Sequence, residues 1–308
     1  MSKLVSIVIP CYNSEHTLRE VVELTMAEFK NLPQYECEFV LVNDNSSDGT
    51  FGVIRDLGGD YSNVHGLSLM RNFGQHNALM CGMNYAKGDY VMGMDDDMQT
   101  HPSQLPIILA KMEAGYDLVY GVYEKSTNGS IKNFTSWLNR KTSRVLLGRP
   151  KDIQSSNYWC ITGQVKGEVI KYRNYSPYVD GIFYRVTHNI GNVQIQHHKR
   201  EYGESGYTFR KLVKQWMAYF NYSVIPLRFA SVIGVIAALV GFAEGIVTII
   251  RKILHPDMLM GWSSTVCIMV FFFGLILMVL GIIGEYVGDI VLAINGTPQY
   301  IVRDKVNL

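Results

Sequence analysis

Apolar residues in the N-terminal part of the chain form two patterns that alternate along the sequence. Continuous runs rich in β-branched residues are expected of strands buried on both faces of a sheet. Such runs predict strands at Leu4–Pro10, Cys37–Val42, Val64–Leu69, Tyr90–Met94 and Leu118–Val122. Between them, apolar residues at helical spacing predict helices at Glu15–Phe29, Thr50–Leu57, Asn77–Tyr85 and Pro102–Glu113. Repeated strand–helix units of this length predict an α/β fold with a mostly parallel, doubly wound sheet.

The C-terminal third of the chain has a different pattern, in which charged residues become scarce. Two long apolar stretches predict transmembrane helices at about 229–250 and 262–284, because each meets the roughly 20-residue length of a bilayer-spanning helix. Only Arg251 and Lys252 supply positive charge between the two stretches. The flanks of this hairpin carry more cations: Arg210, Lys211, Lys214, Arg228, Arg303 and Lys305. The positive-inside rule therefore predicts a multi-pass protein of the inner membrane, with the large domain and both termini in the cytoplasm.

These patterns divide the chain into four predicted parts. Residues 1–207 form the α/β domain, and residues 208–228 form an amphipathic interface helix with the aromatic character of a membrane-surface segment. Residues 229–290 hold the two transmembrane helices, and residues 291–308 form a cytoplasmic tail.

Composition excludes several classes of protein. The chain has 308 residues, of which 48% are hydrophobic and 18% are charged, and its net charge is +1. It is too apolar to be disordered, and it lacks the positive excess of a general nucleic-acid binder. Its five cysteines are odd in number and widely spaced, which argues against a disulfide framework or a zinc site and favours a reduced, cytoplasm-facing domain.

Polar clusters follow the predicted strands, at the points where the strands end. These clusters are Cys11–Glu15, Asn43–Asp48, Arg71–Gln75 and Asp95–Gln99. Ligands of open α/β sheets bind beyond the carboxyl ends of the strands. The coincidence predicts a binding site at that edge.

The sharpest local signal is the run of three aspartates at Asp95, Asp96 and Asp97. Carboxylates this close repel one another, and a cation is the natural compensation. Asp95 and Asp97, two positions apart, face the same side of an extended chain and could hold Mg²⁺ or Mn²⁺ against substrate phosphates. The alternative is a solvated acidic turn. Asp44 has a similar ambiguity, because it could accept hydrogen bonds from a ribose or base or serve only as a turn and cap residue.

Four motifs in this order and spacing resemble glycosyltransferase family 2, the inverting enzymes of the GT-A fold: VSIVIPCYNSE, VNDNSSDGT, RNFGQHNAL and MDDDMQTHP. The C-terminal motifs IPLRFAS, GIIGEYVGDI and TPQYIVRD resemble the polyisoprenyl-phosphate glycosyltransferases. Within that group the chain is most similar to the bacterial bactoprenol-phosphate glucosyltransferases, and dolichyl-phosphate mannose synthase is a more distant relative. The resemblance implies a Rossmann-like GT-A catalytic domain followed by a two-helix membrane hairpin.

The resemblance also implies roles for individual residues. Those that would contact the nucleotide sugar are Pro10, Tyr12, Asn13, Glu15, Asp44, Asp95 and Asp96. Asp95 and Asp97 would hold the metal, and Asp97 and Gln99 would have catalytic roles, with Gln99 beside the sugar. Arg200 and Ser205 would bind phosphate. Asn157 stands where relatives often carry an acidic residue, so nearby Asp152 is the candidate catalytic base.

Together these features predict a metal-dependent inverting transferase. It would move one sugar, a hexose such as glucose, from a nucleotide donor, most simply UDP-linked, to undecaprenyl phosphate at the cytoplasmic membrane face for cell-envelope glycan modification. The resemblance also predicts a homo-oligomer such as a tetramer and no nucleic-acid partner. Two alternatives remain open at this point: a processive polysaccharide synthase of the same fold, and a non-catalytic membrane scaffold.

Overall fold

A computed structural model describes residues 2–98, 100–123, 142–196, 225–254 and 261–308. The chain divides into two units, one formed by Met1–Thr208 with Thr297–Leu308 and the other by Phe209–Gly296. The predicted interface helix at 208–228 lies almost entirely outside the described residues.

The first unit is built on a mixed sheet, and its strands and helices follow the predicted alternation closely. The strands are β1 (Lys3–Cys11), β2 (Tyr35–Asn43), β3 (Val64–Leu69), β4 (Tyr90–Gly93), β5 (Leu118–Tyr123), β6 (Trp159–Thr162), β7 (Ile190–Ile195) and β8 (Val302–Val306). The helices are α1 (Leu18–Lys30), α2 (Thr50–Asp60), α3 (Gln75–Tyr85), α4 (Leu105–Glu113), α5 (Gly163–Val169) and α6 (Val179–Val186).

The strand order across the sheet is β7-β5-β6-β4-β1-β2-β3-β8. The pairings β4–β1, β1–β2, β2–β3 and β5–β7 are parallel, as the repeated strand–helix units predict. Val5, Ile7 and Val8 of β1 are fully buried, which is expected of a central strand covered on both faces. The predicted α/β class with a mostly parallel sheet is confirmed.

Three strands were not predicted from sequence. Strand β6 inserts antiparallel between β4 and β5, and β8 pairs antiparallel with β3. Strand β8 comes from the segment predicted to be a cytoplasmic tail, and it covers an edge that would otherwise leave backbone groups of β3 unpaired. Strand β7 pairs with β5 at the other edge of the described sheet.

The second unit contains two long helices, α7 (Ile225–Leu254) and α8 (Trp262–Ile294). Within the described part of the chain, one segment, Phe271–Ile294, is long and apolar enough to cross a membrane. Helix α7 contains a shorter apolar stretch at Leu227–Gly241. Both predicted transmembrane segments therefore fall within helices, but the apolar segment of α8 ends about ten residues later than the sequence pattern indicated.

A buried carboxyl group joins α6 to the sheet. The hydroxyl of Tyr120 on β5 donates a hydrogen bond of 2.7 Å to Oδ1 of Asp180. Burial raises the pKa of Asp180 to about 6. Nearby, Tyr178 stacks edge-on against His76, whose pKa burial lowers to about 4.

Replacing Asp180 by asparagine is expected to remove a pH-dependent loss of stability. An unfolded Asp ionises near pH 4, whereas folded Asp180 ionises near pH 6, so the free energy of unfolding falls as pH rises between these values. At pH values above 6, ionisation of Asp180 lowers the free energy of unfolding by about 3 kcal/mol. His76 acts in the opposite direction over a similar range, but it is common to both proteins and cancels in their difference.

Urea unfolding of the detergent-solubilised wild type and Asp180→Asn variant, followed by tryptophan fluorescence from pH 4 to pH 7, measures this difference. The asparagine oxygen can still accept the hydrogen bond from Tyr120, so packing is preserved. A difference between the two proteins that stays constant across this range would contradict the assignment.

Candidate active site at the carboxyl edge of the sheet

The ends of β1, β2 and β4 lie side by side and bring three polar loops together. Cys11 at the end of β1 is in register with Asn43 at the end of β2, and Val8 is in register with Gly93 at the end of β4. The loops that follow these ends carry the aspartates and most of the residues that the sequence analysis assigned to nucleotide binding. The polar loops after β1, β2 and β4 therefore lie together at one edge of the sheet.

The loops after β1 and β2 are tied together by side-chain hydrogen bonds. The backbone N–H of Asn13 donates to Oγ of Ser46, and the N–H of Ser47 donates to Oδ1 of Asn13, both at 3.0 Å. The N–H of Gly49 donates to the Glu15 carboxylate at 2.6 Å. Asn13 and Glu15 therefore shape the site through these bonds.

Tyr12 is 55% exposed at this edge, although it follows a fully buried strand. Pro10, two residues earlier, is half-buried at the end of β1. Asn13, the next residue, has a φ of 57°, in the left-handed region that Asn tolerates better than most residues. The Tyr12 side chain is therefore exposed where β1 ends.

Asp44 is buried and holds the entrance to α3. Its two carboxylate oxygens accept hydrogen bonds from the backbone N–H groups of Phe73 at 2.7 Å and Gly74 at 2.8 Å. Burial raises the pKa of Asp44, and these two hydrogen bonds oppose the shift. Gly74 has a φ of 91°, a conformation that favours glycine. The structure thus gives Asp44 an internal role in addition to any contact with a nucleoside.

The three consecutive aspartates have different surroundings. Asp96 accepts a hydrogen bond from the Ser14 hydroxyl of the β1 loop. Burial, with a contribution from Asp97, raises the pKa of Asp96 to about 6. Asp95 instead accepts hydrogen bonds of 2.8 Å from the side-chain amides of Gln75 and Asn157.

Asp95 and Asp97 both act on the hydroxyl of Tyr123 at the end of β5. Burial raises the pKa of Tyr123, the negative charges of Asp95 and Asp97 raise it further, and the hydrogen bond with Thr100 opposes the shift. The two carboxylates therefore share a neighbour, whereas the carboxylate of Asp96 is bonded to the β1 loop.

The donor set suits a hard divalent cation. Carboxylate oxygens are the ligands that Mg²⁺ and Mn²⁺ prefer. Among the residues that the structure describes, no group of three or more His, Cys, Asp or Glu side chains could by itself hold a metal. A cation at Asp95 and Asp97 would therefore complete its coordination with ligand oxygens and water, which is the usual arrangement when a metal binds together with substrate phosphates.

Several predicted site residues cannot be compared with this geometry. Gln99, Arg200 and Ser205 lie outside the described residues. Asp152, the candidate base, is exposed in a turn, and it is Asn157 that contacts Asp95. Gln75, Ser14 and Tyr123 were not predicted from sequence to lie beside the aspartates. The first two already lay in polar clusters at strand ends, which was the only sequence signal for them.

Residues 6–168 match the domain described as Glycosyl transferase family 2, which is more than half of the chain. The chain belongs to glycosyl transferase family 2. Relatives of this family 2 glycosyltransferase match along nearly its whole length. The undecaprenyl-phosphate 4-deoxy-4-formamido-L-arabinose transferase of Edwardsiella ictaluri is 30% identical, covering 99% of this chain and 94% of its own. The transferase of the same name from Proteus mirabilis matches with the same identity and coverage.

A solved structure shows the same fold as this family 2 glycosyltransferase. Glucosyl-3-phosphoglycerate synthase of Mycobacterium tuberculosis, in complex with Mn²⁺, UDP and phosphoglyceric acid, has a TM-score of 0.53 at 16% identity. The similarity covers 71% of this chain and 77% of that one. The expected family and GT-A fold are thus confirmed.

Proposed function

We propose that this glycosyltransferase moves a single sugar from a nucleotide donor to undecaprenyl phosphate, or a related polyprenyl phosphate, at the cytoplasmic face of the membrane. The observation that carries the proposal is the 30% identity to undecaprenyl-phosphate sugar transferases over 99% of the chain. This similarity extends beyond the nucleotide-binding part into the apolar helices, so it concerns the acceptor side of the reaction as well. The product would serve cell-envelope glycan modification.

Strand β8 supports an even number of membrane crossings. It follows α8 in the chain and pairs with β3, so residues on both sides of the helical unit are built into one sheet. One sheet lies on one side of a bilayer, and a crossing by α8 therefore requires a return crossing. The return crossing is proposed to be made by α7, which contains the shorter apolar stretch Leu227–Gly241. With the positive-inside count, this supports a multi-pass inner-membrane protein with a cytoplasmic active site.

The chemistry follows from the charges at the carboxyl edge. Asp95 and Asp97 would hold Mg²⁺ or Mn²⁺, which when bound neutralises charge on the donor diphosphate as it leaves. The nucleotide is proposed to bind beside the loop after β1, which carries Tyr12, Asn13 and Glu15.

A phosphate acceptor removes the need for a strong base. A lipid phosphate is already anionic at pH 7, so its oxygen can attack the anomeric carbon directly. Attack in line with the departing diphosphate inverts the configuration in one step, without a covalent enzyme intermediate. Catalysis then depends on positioning and charge stabilisation. An exposed Asp152 and an amide at Asn157 are compatible with such a mechanism.

The donor is proposed to be a UDP-linked hexose such as glucose, as the resemblance of the motifs suggests. The curated relatives carry a different sugar, 4-deoxy-4-formamido-L-arabinose, in their names, so this donor is the direct competitor. Assembly into a homo-oligomer stays a prediction.

The test incubates the full-length protein in detergent with undecaprenyl phosphate, Mn²⁺ or Mg²⁺, and a panel of radiolabelled nucleotide sugars that includes both candidates. Metal-dependent transfer of one sugar to the lipid is the expected result, and the donor with the highest kcat/KM identifies the sugar. A long water-soluble polymer would instead indicate a processive synthase. Absence of transfer from every donor would indicate a non-catalytic scaffold.

A further inference from the structure

Both carboxylate oxygens of Asp95 are held by neutral amide groups. The side-chain amide of Gln75 donates to Oδ1, and the side-chain amide of Asn157 donates to Oδ2, each at 2.8 Å. Each oxygen of a carboxylate has two acceptor positions, and one amide uses one position on each oxygen. The Gln75 and Asn157 amides together fix the orientation of the Asp95 carboxylate.

The sheet determines why Asn157 meets Asp95. Strands β4 and β6 are antiparallel, and Gly93 is in register with Trp159. Two residues beyond Gly93 and two residues before Trp159, the same register brings Asp95 opposite Asn157. Gly93 packs closely against the Trp159 ring, because a Cβ added at Gly93 would lie 2.3 Å from that ring. The paired ends of β4 and β6 thus lie close to the residues that carry the Asp95–Asn157 hydrogen bond.

Gln75 reaches Asp95 from α3, and its position is also fixed by hydrogen bonds. It is the first residue of α3, and the two residues before it, Phe73 and Gly74, donate their backbone N–H groups to Asp44. The buried carboxylate of Asp44 thus sets where α3 begins and where the Gln75 side chain can reach. Gln75 from α3 and Asn157 from the segment before β6 therefore both reach the carboxylate of Asp95, which follows β4.

The amide character of both residues matters for charge. A carboxylate at position 157 would face Asp95 at hydrogen-bonding distance and repel it, and a lysine or arginine would neutralise it. An amide donates a hydrogen bond to Asp95 and itself carries no charge. Groups that orient metal-ligating carboxylates in this way typically contribute 10- to 100-fold to metal affinity.

We propose that Gln75 and Asn157 are positioning residues that orient Asp95 for a divalent cation bound together with the donor diphosphate. The inference rests on the proposed function only for the presence of that cation and nucleotide. In this chain the residue at position 157 thus acts through Asp95, and not as a base that takes a proton from the acceptor.

The test measures Mn²⁺ binding directly, by the electron paramagnetic resonance signal of free Mn²⁺ in the presence of UDP. The variants Asn157→Leu and Gln75→Met keep the size of each side chain and remove the amide. We expect each to raise the dissociation constant of Mn²⁺ by about 10- to 100-fold. At saturating Mn²⁺, kcat for sugar transfer should stay within about threefold of wild type, because the orienting role is restored by mass action.

Asn84→Leu is the matched control. Its side-chain amide donates to the backbone oxygen of Met80 within α3, at the other end of the helix that carries Gln75. The proposal is overturned if both test variants bind Mn²⁺ within twofold of wild type, if Asn84→Leu weakens binding as much as they do, or if wild type with UDP binds no Mn²⁺. Because binding is measured without the lipid, a protein that transfers no sugar but shows the expected binding differences would overturn only the proposed function.

Discussion

Replacing Asp97 by asparagine is expected to lower sugar transfer by about 100- to 1,000-fold while leaving the fold intact. Burial raises the pKa of Tyr123, and the negative charges of Asp95 and Asp97 raise it further. Asparagine at position 97 keeps the size of the side chain but removes its charge. The leaving diphosphate would then develop negative charge without a properly held cation. A loss of this size is typical when one preorganised electrostatic group is removed.

Initial rates of transfer to undecaprenyl phosphate, at Mn²⁺ concentrations from micromolar to millimolar, measure this effect. Asp60→Asn is the control, since Asp60 is an exposed residue at the end of α2 whose partner is Arg19. It should transfer sugar at the wild-type rate. An Asp97→Asn protein that retains more than a tenth of wild-type activity would remove Asp97 from the metal site.

Replacing Gly93 by alanine is expected to destabilise the protein by about 1–3 kcal/mol and to reduce activity as well. A Cβ at this position would lie 2.3 Å from two carbons of the Trp159 ring, which is itself fully buried and packed against Phe183. The indole cannot move away without disturbing its neighbours, so β4 and β6 must separate. Asp95 lies two residues after Gly93 and Asn157 two residues before Trp159, so these two side chains would separate too.

The matched control is a glycine-to-alanine substitution at a position that has room for the added methyl group. A Cβ at Gly52, in α2, would have no atom within 4 Å, so Gly52→Ala should be neutral or stabilising by up to about 1 kcal/mol. Urea unfolding midpoints of both variants in detergent compare the two sites. If Gly93→Ala unfolds at the wild-type urea concentration, the close packing of β4 on β6 is not what holds this edge.

Much of the α/β unit was predictable because its signal is local. Strand β3 begins and ends where the apolar run predicts, at Val64 and Leu69. Helix α3 was predicted from Asn77, and it begins at Gln75, two residues earlier. That small difference matters, because Gln75 is the residue that reaches Asp95, and its position depends on hydrogen bonds to Asp44 and not on apolar spacing.

The elements that escaped prediction depend on partners far away in the chain. Strand β6 has only four residues, and it becomes a strand because β4 and β5 lie on either side of it. Strand β8 was predicted as tail, since a short polar segment after an apolar helix carries no strand signal of its own. Its backbone pairs with β3, and Arg303 donates to the backbone oxygen of Met70.

The sequence by itself determined the order of strands and helices, the edge where polar residues gather, and the apolar character of the C-terminal helices. These properties follow from periodicity, which each segment carries alone. Only the tertiary structure decided how three adjacent and chemically identical aspartates differ. Asp96 meets Ser14 from the β1 loop, whereas Asp95 meets Gln75 from α3 and Asn157 from the segment before β6. Their roles diverge because packing brings different distant segments against each carboxylate, and no local pattern encodes that choice.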